Sequence, residues 1–234
     1  MEDTQQISSA FDKDLAELNR KIAKLGQLTQ NQFARALEAL LNYDLTQIDE
    51  IVAHDKRIDE LESKLNEDAL TLIALRSPLA ADLRRVIVAV KIATMLERMG
   101  DYAKNIAKRI EWVAKGDVVD VSNTSIKSMG ETVQHMVQQV LEAYMNADAD
   151  TAMQVWLRDV EVDQMHKTIF QELLQLMGDR PEHVTAGSHM LFITKNIERI
   201  GDYATGIAEQ ICFLVNGFMP EETRPKADET DHKG

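Results

Sequence analysis

Hydrophobic residues recur every three to five positions along most of the first half of the chain, a spacing that places them on one face of an α-helix. Breaks in this pattern predict three helices, over about 7–41, 44–76 and 78–116. We expect Asp44 to cap the second helix, with Gln47 completing a capping box. The third helix should open at or just after a proline and end at a glycine.

The second half of the chain follows the same plan. Its pattern predicts helices over about 124–146, 148–178 and 181–217, with Asp148 as the cap of the middle one and Pro181 at the start of the last. The fold class predicted is therefore all-α, with two tandem three-helix units. The predicted organisation is a flexible N-terminus, a first unit, a linker, a second unit and a flexible acidic tail, over residues 1–6, 7–116, 117–122, 123–217 and 218–234.

Direct comparison of the two halves indicates an internal duplication. Residues 37–44 match residues 141–148 at an offset of 104. Residues 97–103 and 198–204 are identical at six of seven positions, at an offset of 101. Loops of different length between equivalent helices produce such small changes in offset, so the repeated unit is the helix triplet.

Composition narrows the range of functions. The 234-residue chain has 39 acidic and 26 basic residues, a formal net charge of −13, which argues against nucleic-acid partners because these require a basic surface. The start of the chain lacks the features of a signal peptide, and no apolar run has the length of a membrane span, so we expect a cytoplasmic protein. The single cysteine, Cys212, lies in an apolar stretch and is expected to be buried.

Each predicted unit carries two pairs of carboxylates, and the members of a pair are four residues apart. This spacing places both side chains on one face of a helix. If the two faces of a unit meet, four carboxylates converge, an arrangement that requires cations or raised pKa values. The pairs are Asp55 with Asp59 and Glu97 with Asp101 in the first unit, and Asp159 with Asp163 and Glu198 with Asp202 in the second.

Recurrence of both pairs after duplication favours metal binding over chance. A single pair would be ordinary in so acidic a chain, and oxygen-rich sites suit Mg²⁺, Mn²⁺ or iron. Gly100 and Gly201 lie beside the carboxylates, and glycine inside a helix costs about 1 kcal/mol relative to alanine, which predicts close approach of another backbone or of bound ions. Glu62 and His166 could extend the clusters or be structural, and Arg84 could face solvent, dock a partner or bind an anion.

Two other functions are compatible with the carboxylates. A structural helical adaptor would use them only for salt bridges between helices. A di-metal oxidase would need Glu-x-x-His motifs on two helices of one bundle, and the comparable pattern from Asp163 to His166 is not duplicated. Phosphate-binding loops and the motifs of covalent catalysis are also missing from the sequence, so we expect a protein that is not an enzyme.

The repeated Glu-Arg-x-Gly-Asp block at 97–101 and 198–202, with the aspartate pairs upstream and the segment 81–84, resembles the PhoU family. The resemblance covers about residues 5–217. It implies two similar three-helix bundles in a chain that forms a homodimer. It also implies that both carboxylate clusters hold divalent or trivalent metal ions such as Mg, Mn, Fe or Zn.

The same resemblance implies a biological role. Members of the PhoU family repress the phosphate-starvation response when phosphate is plentiful, and they restrain uptake by the phosphate ABC transporter. They are thought to contact the ATPase subunit of that transporter and a sensor histidine kinase. The chain would then be a cytoplasmic negative regulator that reaches the membrane only through its partners.

Overall fold

The computed structural model describes the backbone of residues 2–116 and 123–220, and the side chains of residues 10–116 and 124–220. In these residues the chain forms seven α-helices and two 3₁₀ helices, at Leu45–Gln47 and Pro181–His183. The α-helices are α1 (Glu2–Asn42), α2 (Ile48–Arg76), α3 (Ala81–Ala107), α4 (Ile110–Ala114), α5 (Asn123–Asn146), α6 (Ala149–Asp179) and α7 (Val184–Asn216).

The first two helices of each unit are joined by the same turn. Tyr43 after α1 and Ala147 after α5 both have a left-handed φ of 51°, which is uncommon for residues other than glycine. The backbone amides of Asp44 and Asp148 then donate to a carbonyl five residues earlier, each at 2.9 Å. The duplication predicted from the sequence is therefore present in the backbone, at the predicted offset.

The predicted cap of α6 is confirmed. The Asp148 carboxylate accepts hydrogen bonds from the backbone amides of Asp150 and Thr151, both at 3.0 Å. These two amides belong to the first turn of the helix, where they have no partner within the helix itself. The end of this helix and the extent of α5 also agree with the prediction to within two residues.

The predicted capping box at the start of α2 is wrong. Asp44 caps the 3₁₀ helix instead, by accepting from the amide of Thr46 at 2.9 Å, and α2 begins at Ile48. The side chain of Gln47 donates to the Asp44 carboxylate at 2.8 Å. It cannot accept from the Asp44 amide, as the box requires, because that amide already donates to Ala39.

Three other predicted helix starts differ from the structure. The last long helix, α7, begins at Val184 rather than at Pro181, because Pro181–His183 forms a 3₁₀ helix. The first helix begins at Glu2 rather than near residue 7, so most of the segment predicted as flexible, 1–6, is helical. The sequence there contains no glycine or proline to end the helix. The third helix begins at Ala81, later than predicted, because Ser77 and Ala80 have positive φ values of 45° and 48°.

The third predicted helix is also interrupted, at Lys108 and Arg109, before the short helix α4. The Arg109 amide donates to the carbonyl three residues earlier, at 3.0 Å, which tightens the chain locally. Ile110 and Val113 remain fully buried, and the Arg109 guanidinium lies 4.4 Å from the centre of the Phe192 ring on α7. The interruption thus keeps α4 packed on α7, and a continuous helix to residue 116 is wrong.

The two units share one hydrophobic core. Buried side chains of both halves form a continuous cluster. On one side, α1 meets α5 so closely that a Cβ at Gly130 would lie 2.5 Å from Leu37 Cδ2. On the other, α3 packs on α7, with Met95 against Gly206. The predicted unit boundaries, 7–116 and 123–217, stay predictions.

The predicted linker, 117–122, and residues 221–234 of the predicted tail lie outside the described residues. The prediction for Cys212 is confirmed, since this cysteine is buried. Across residues 2–116 and 123–220, the structure contains no helix with the length and hydrophobicity needed to cross a membrane.

Candidate metal centres

In the first unit, a lysine joins the carboxylates of α2 and α3. Asp55 on α2 is 4% exposed, and the Lys104 ammonium on α3 donates both to Asp55 and to Asp101, at 2.6 Å from the latter. Burial disfavours a charge on Lys104, but its hydrogen bonds to Asp101 and Asp55 outweigh burial and raise its pKa. The result is two ion pairs that share Lys104 and connect α2 to α3.

Gly100 allows this close contact between α2 and α3. A Cβ at this position would lie 3.0 Å from Ile58 Cδ1 and 3.6 Å from Asp55 Oδ1. At Gly201, the corresponding atom would lie 3.4 Å from Val162 Cγ1. The neighbours are thus side chains, of α2 at Gly100 and of α5 and α6 at Gly201. The predicted approach of another backbone is wrong at both glycines, and an approach of bound ions stays a prediction.

A residue of α1 completes the surroundings of Asp55. Gln32 is 1% exposed, and its amide nitrogen donates to Asp55 Oδ1 at 3.1 Å and to the Gly100 carbonyl at 3.2 Å. Its amide oxygen lies 3.3 Å from His54 Nδ1. One glutamine therefore connects all three long helices of the first unit at the carboxylate cluster.

The other two carboxylates of the first unit, Asp59 and Glu97, lie beside the ion pairs of Lys104. Burial, followed by the like charge of Asp55, raises the pKa of Asp59. Burial, followed by the like charge of Asp101, raises the pKa of Glu97. Arg98 offsets part of this charge, with its guanidinium 3.4 Å from both Glu97 and Asp101. The four predicted carboxylates of the first unit are therefore electrostatic neighbours.

In the second unit, the most buried carboxylate has a hydroxyl partner instead of an ammonium. Asp159 on α6 is 2% exposed and accepts from the Thr205 hydroxyl of α7 at 3.1 Å. Thr205 corresponds to Lys104 at the offset of 101 that relates the two repeated blocks. Asp163 and Asp202 are half-buried, and neither lacks an interaction partner.

Glu198 of the second unit is buried and only partly satisfied. Its side chain accepts from Lys195 through Oε1, at 2.6 Å. Its other oxygen, Oε2, is buried and has no hydrogen-bond partner among the described residues. Burial raises the pKa of Glu198, although the hydrogen bond from Lys195 opposes this shift. A buried carboxylate oxygen without a donor is costly, and a cation would satisfy it.

The residues expected to extend the clusters have local partners. Glu62 Oε1 accepts from Asn66 at 2.7 Å and from Thr94 at 3.1 Å. The ring centroids of His166 and Phe170 are 6.4 Å apart on α6. Neither contact indicates a metal ligand, and a cluster-extending role for Glu62 or His166 stays a prediction.

Arg84 of α3 has partners at the end of α7. Its guanidinium lies 5.2 Å from the centre of the Phe213 ring and 3.5 Å from the Phe213 carbonyl, in the last turn of α7. A cation at the C-terminus of a helix interacts favourably with the helix dipole. Arg84 therefore connects α3 to the end of α7, next to Gly217, whose φ of 87° ends that helix.

The two repeated blocks meet across the contact between α3 and α7. Tyr102 and Tyr203, which follow Asp101 and Asp202 in the repeated block, have ring centroids 5.8 Å apart. Arg199 donates to the Tyr102 hydroxyl at 3.4 Å, with its guanidinium 5.7 Å from the centre of the ring. The repeated blocks thus face each other, which their sequence alone did not indicate.

The carboxylate oxygens are suitable ligands for a metal ion, but the side chains do not converge on a common point. In the part of the chain that the structure describes, no three Asp, Glu, His or Cys side chains are close enough together to hold an ion. Lys104 supplies a positive charge where a cation would balance Asp55 and Asp101. The unpartnered oxygen of Glu198 is a further donor suited to a hard cation. Metal binding by the eight predicted carboxylates stays a prediction.

Sequence reasoning missed Lys104 and Gln32. The spacing of Lys104, three residues after Asp101, was a usable signal because residues three apart share a helix face. Gln32 offered no such signal, because the equivalent residue of the second unit, 104 positions later, is Met136. A methionine side chain cannot donate a hydrogen bond to the buried aspartate as Gln32 does. A search for repeated features therefore favours residues that both units retain and overlooks those that only one unit has.

Comparison with known families matches both units separately. The family model for the PhoU domain matches residues 22–110 and again residues 126–211. The chain is 40% identical, over 96% of its length and 98% of the relative's, to a protein of Caulobacter vibrioides named phosphate-specific transport system accessory protein PhoU homolog. A protein of Zymomonas mobilis with the same name is 43% identical, over 93% of this chain and 92% of the relative.

Solved structures agree with these sequence matches. The crystal structure of PhoU from Pseudomonas aeruginosa is 31% identical and has a TM-score of 0.86, over 88% of this chain and 99% of that one. The phosphate transport system regulatory protein PhoU from Streptococcus pneumoniae is 29% identical and has a TM-score of 0.83, over 91% and 100%. The resemblance and the tandem all-α fold are confirmed: the chain belongs to the PhoU family.

Proposed function

We propose that this protein is a negative regulator of phosphate uptake and of the phosphate-starvation response. It would act in the cytoplasm as a metal-binding adaptor between the phosphate ABC transporter, through its ATPase subunit, and a sensor histidine kinase. The proposal assigns no chemical reaction to the chain. It includes a homodimer as the working form.

The observation that carries this proposal is similarity over the whole chain to proteins named as accessory components of phosphate-specific transport. Identity of 40% extends over 96% of this chain, so it includes both units and both carboxylate clusters. A match restricted to one bundle would support only a shared helical fold. Instead, the repeated domain and the tandem arrangement are both retained.

The carboxylates suit the metal-binding part of this role. Asp55, Asp59, Glu97 and Asp101 would hold an ion in the first unit, and Asp159, Asp163, Glu198 and Asp202 would hold one in the second. Such an ion supplies positive charge and oxygen coordination. It would offset the burial and the like charges that raise the pKa of Asp59 and Glu97, and it would give the unpartnered oxygen of Glu198 a partner.

A structural adaptor without metal is the second candidate, and the ion pair of Lys104 favours it. With Asp55 and Asp101 joined by the Lys104 ammonium, the contact between α2 and α3 has a cation of its own. In that case the carboxylates would stabilise the bundles as salt-bridge partners. Metal content of the purified protein separates the two candidates.

The test of the regulatory role uses a strain of the source organism without this gene. Reporter expression from a phosphate-starvation promoter is measured in high phosphate, with the empty vector, the parent gene and an Asp101→Asn/Asp202→Asn double variant. We expect the empty vector to leave the reporter active and the parent to repress it. A reporter that is equally low in all three strains would contradict the proposal.

A second arm tests the adaptor role. The tagged parent is purified from membranes solubilised in mild detergent, and the retained proteins are identified by mass spectrometry. We expect the transporter ATPase and a histidine kinase in the parent sample and not in a tag-only control. Repression without either partner would refute the adaptor part and leave the regulatory part in place.

A further inference from the structure

The first carboxylate cluster differs from the second at one position near its centre. Lys104 in the first block corresponds to Thr205 in the second, and both side chains contact the buried aspartate of the preceding helix. Both residues lie three positions after the block's aspartate, and the seven residues before them are identical at six positions. The difference therefore changes the charge at a position that contacts the buried aspartate in both units.

We propose that Lys104 is a built-in cation that competes with an exogenous metal ion for Asp55 and Asp101. The inference rests on the proposed metal-binding role of the clusters. It adds that one positive charge of the chain itself already lies between Asp55 and Asp101, so that a divalent ion binds there only by displacing the Lys104 ammonium. Lys104 thereby sets the metal affinity of the first cluster.

The contacts of Lys104 support direct competition. Its ammonium bonds to Asp55 Oδ2 and Asp101 Oδ1, one carboxylate from each of the two helices that would hold the ion. The side chain of Asp55 is 5% exposed and that of Lys104 is 20% exposed, so this pair is largely shielded from water. An ammonium and a divalent ion cannot both occupy the space between the same oxygens, because their charges repel at that distance.

Gln32 and Gly100 make displacement of Lys104 feasible without unfolding the site. Asp55 Oδ1 is held by Gln32, while Lys104 takes the other oxygen. Removal of the ammonium would leave Asp55 positioned by Gln32 and packed beside Gly100. The Lys104 side chain itself is flexible and one-fifth exposed, so it can turn toward solvent.

The test weakens the second cluster with an Asp202→Asn/Glu198→Gln background and measures Mn²⁺ binding by isothermal titration calorimetry. In this background the variants are Lys104→Thr, which copies the second unit, and Lys104→Arg, which keeps the charge. Lys56→Thr is the matched control, since Lys56 lies beside Asp55 but is 81% exposed and pairs with Glu60. It makes the same change in net charge without reaching the cluster.

We expect Lys104→Thr to bind Mn²⁺ at least tenfold more tightly than the background protein, and Lys104→Arg and Lys56→Thr to bind like the background. With a chelator present, the Lys104→Thr variant should unfold at a lower midpoint concentration of urea than the Lys56→Thr variant. Addition of Mn²⁺ should raise the unfolding midpoint of Lys104→Thr again. Equal Mn²⁺ affinities in all variants would overturn the competition by Lys104 and leave the proposed metal binding in place. No Mn²⁺ binding in any variant would overturn this inference together with the metal-binding part of the proposed function.

Discussion

Glu198 illustrates how burial and charge oppose each other at a single residue. Its carboxylate accepts one hydrogen bond, from Lys195, while Oε2 is buried without a partner among the described residues. Burial raises the pKa of Glu198, which means that the folded chain holds its proton more tightly than the unfolded chain does. The charged form therefore destabilises the metal-free fold near neutral pH.

A Glu198→Gln variant should consequently be more stable than the parent at pH 7 in a chelator, by about 1 kcal/mol, because it removes a buried charge. The parent gains stability as the pH falls toward the range in which Glu198 becomes protonated, whereas the variant does not, so the difference should shrink with acidity. Urea unfolding between pH 4 and pH 8 measures both effects. Glu161→Gln, at an exposed position of α6, is the control.

The residues of the site were predictable only in part. The eight carboxylates follow from spacing and repetition, which the sequence displays directly. The contacts of Gln32 depend on how α1, α2 and α3 pack together, and the unpartnered oxygen of Glu198 depends on how α6 and α7 pack. Periodicity carries no information about side-chain partners across helices. The pairing of Tyr102 with Tyr203 is of the same kind.

At the scale of helices, the start of α6 depends on one side chain. The Asp148 carboxylate accepts from two backbone amides and from the Thr151 hydroxyl, and the hydrogen bonds to Thr151 lower its pKa. Because the folded pKa is below the unfolded one, the stability that this carboxylate contributes is present at neutral pH and is lost as the pH falls through the lowered value.

An Asp148→Ala variant should therefore have a lower melting temperature than the parent at pH 7, with a smaller difference in acid. Asp148→Asn keeps an oxygen acceptor for the cap and should retain most of the stability. Thermal melts followed by circular dichroism at pH 7 and pH 3 measure the three proteins. Equal losses for alanine and asparagine would show that charge rather than capping is responsible.

Two glycines within helices allow an opposite pair of predictions. A Cβ at Gly206 would meet Met95 at an ordinary 3.5 Å, so Gly206→Ala should stabilise the protein by about 1 kcal/mol through helix propensity. A Cβ at Gly130 would lie 2.5 Å from the buried Leu37, so Gly130→Ala should destabilise it by about 1 kcal/mol through overpacking. Urea unfolding of both variants tests the helix contacts, and a gain from Gly130→Ala would contradict the α1–α5 packing.

Hydrophobic periodicity predicted the long helices well because each buries one continuous face. It missed the break between α3 and α4 since Ile106 and Ile110 keep the helical spacing across it. The break depends on a local hydrogen bond at Arg109 and on the contact of that side chain with Phe192. Neither feature alters the hydrophobic pattern, so the sequence offers no signal for it.

At the scale of the molecule, duplication and a shared core have different consequences. Duplication explains why both units repeat the same turn and the same acidic pairs. The shared core predicts that they do not behave as independent domains, since Leu37 packs near Gly130 and Met95 packs near Gly206 across the two halves. The tandem fold was predictable from repetition, whereas the single core was not, because contacts between units leave no period in the sequence.

The shared core predicts one cooperative unfolding transition rather than two. Loss of either unit would expose the apolar surface that the other buries, and this couples their stabilities. In scanning calorimetry at saturating chelator, the calorimetric and van't Hoff enthalpies should agree for the full chain. Two resolved transitions, one for each unit, would contradict the continuous core.

The proposed role as a metal-binding adaptor requires that the carboxylate clusters bind metal. Elemental mass spectrometry of the purified, untagged protein, beside an Asp101→Asn/Asp202→Asn double variant of the same helical content, tests this most directly. We predict Mg, Mn, Fe or Zn in the parent after reloading, and its loss in the double variant. No metal in either protein, after reloading with each ion in turn, would contradict the metal sites and leave the carboxylates as salt-bridge partners within the bundles.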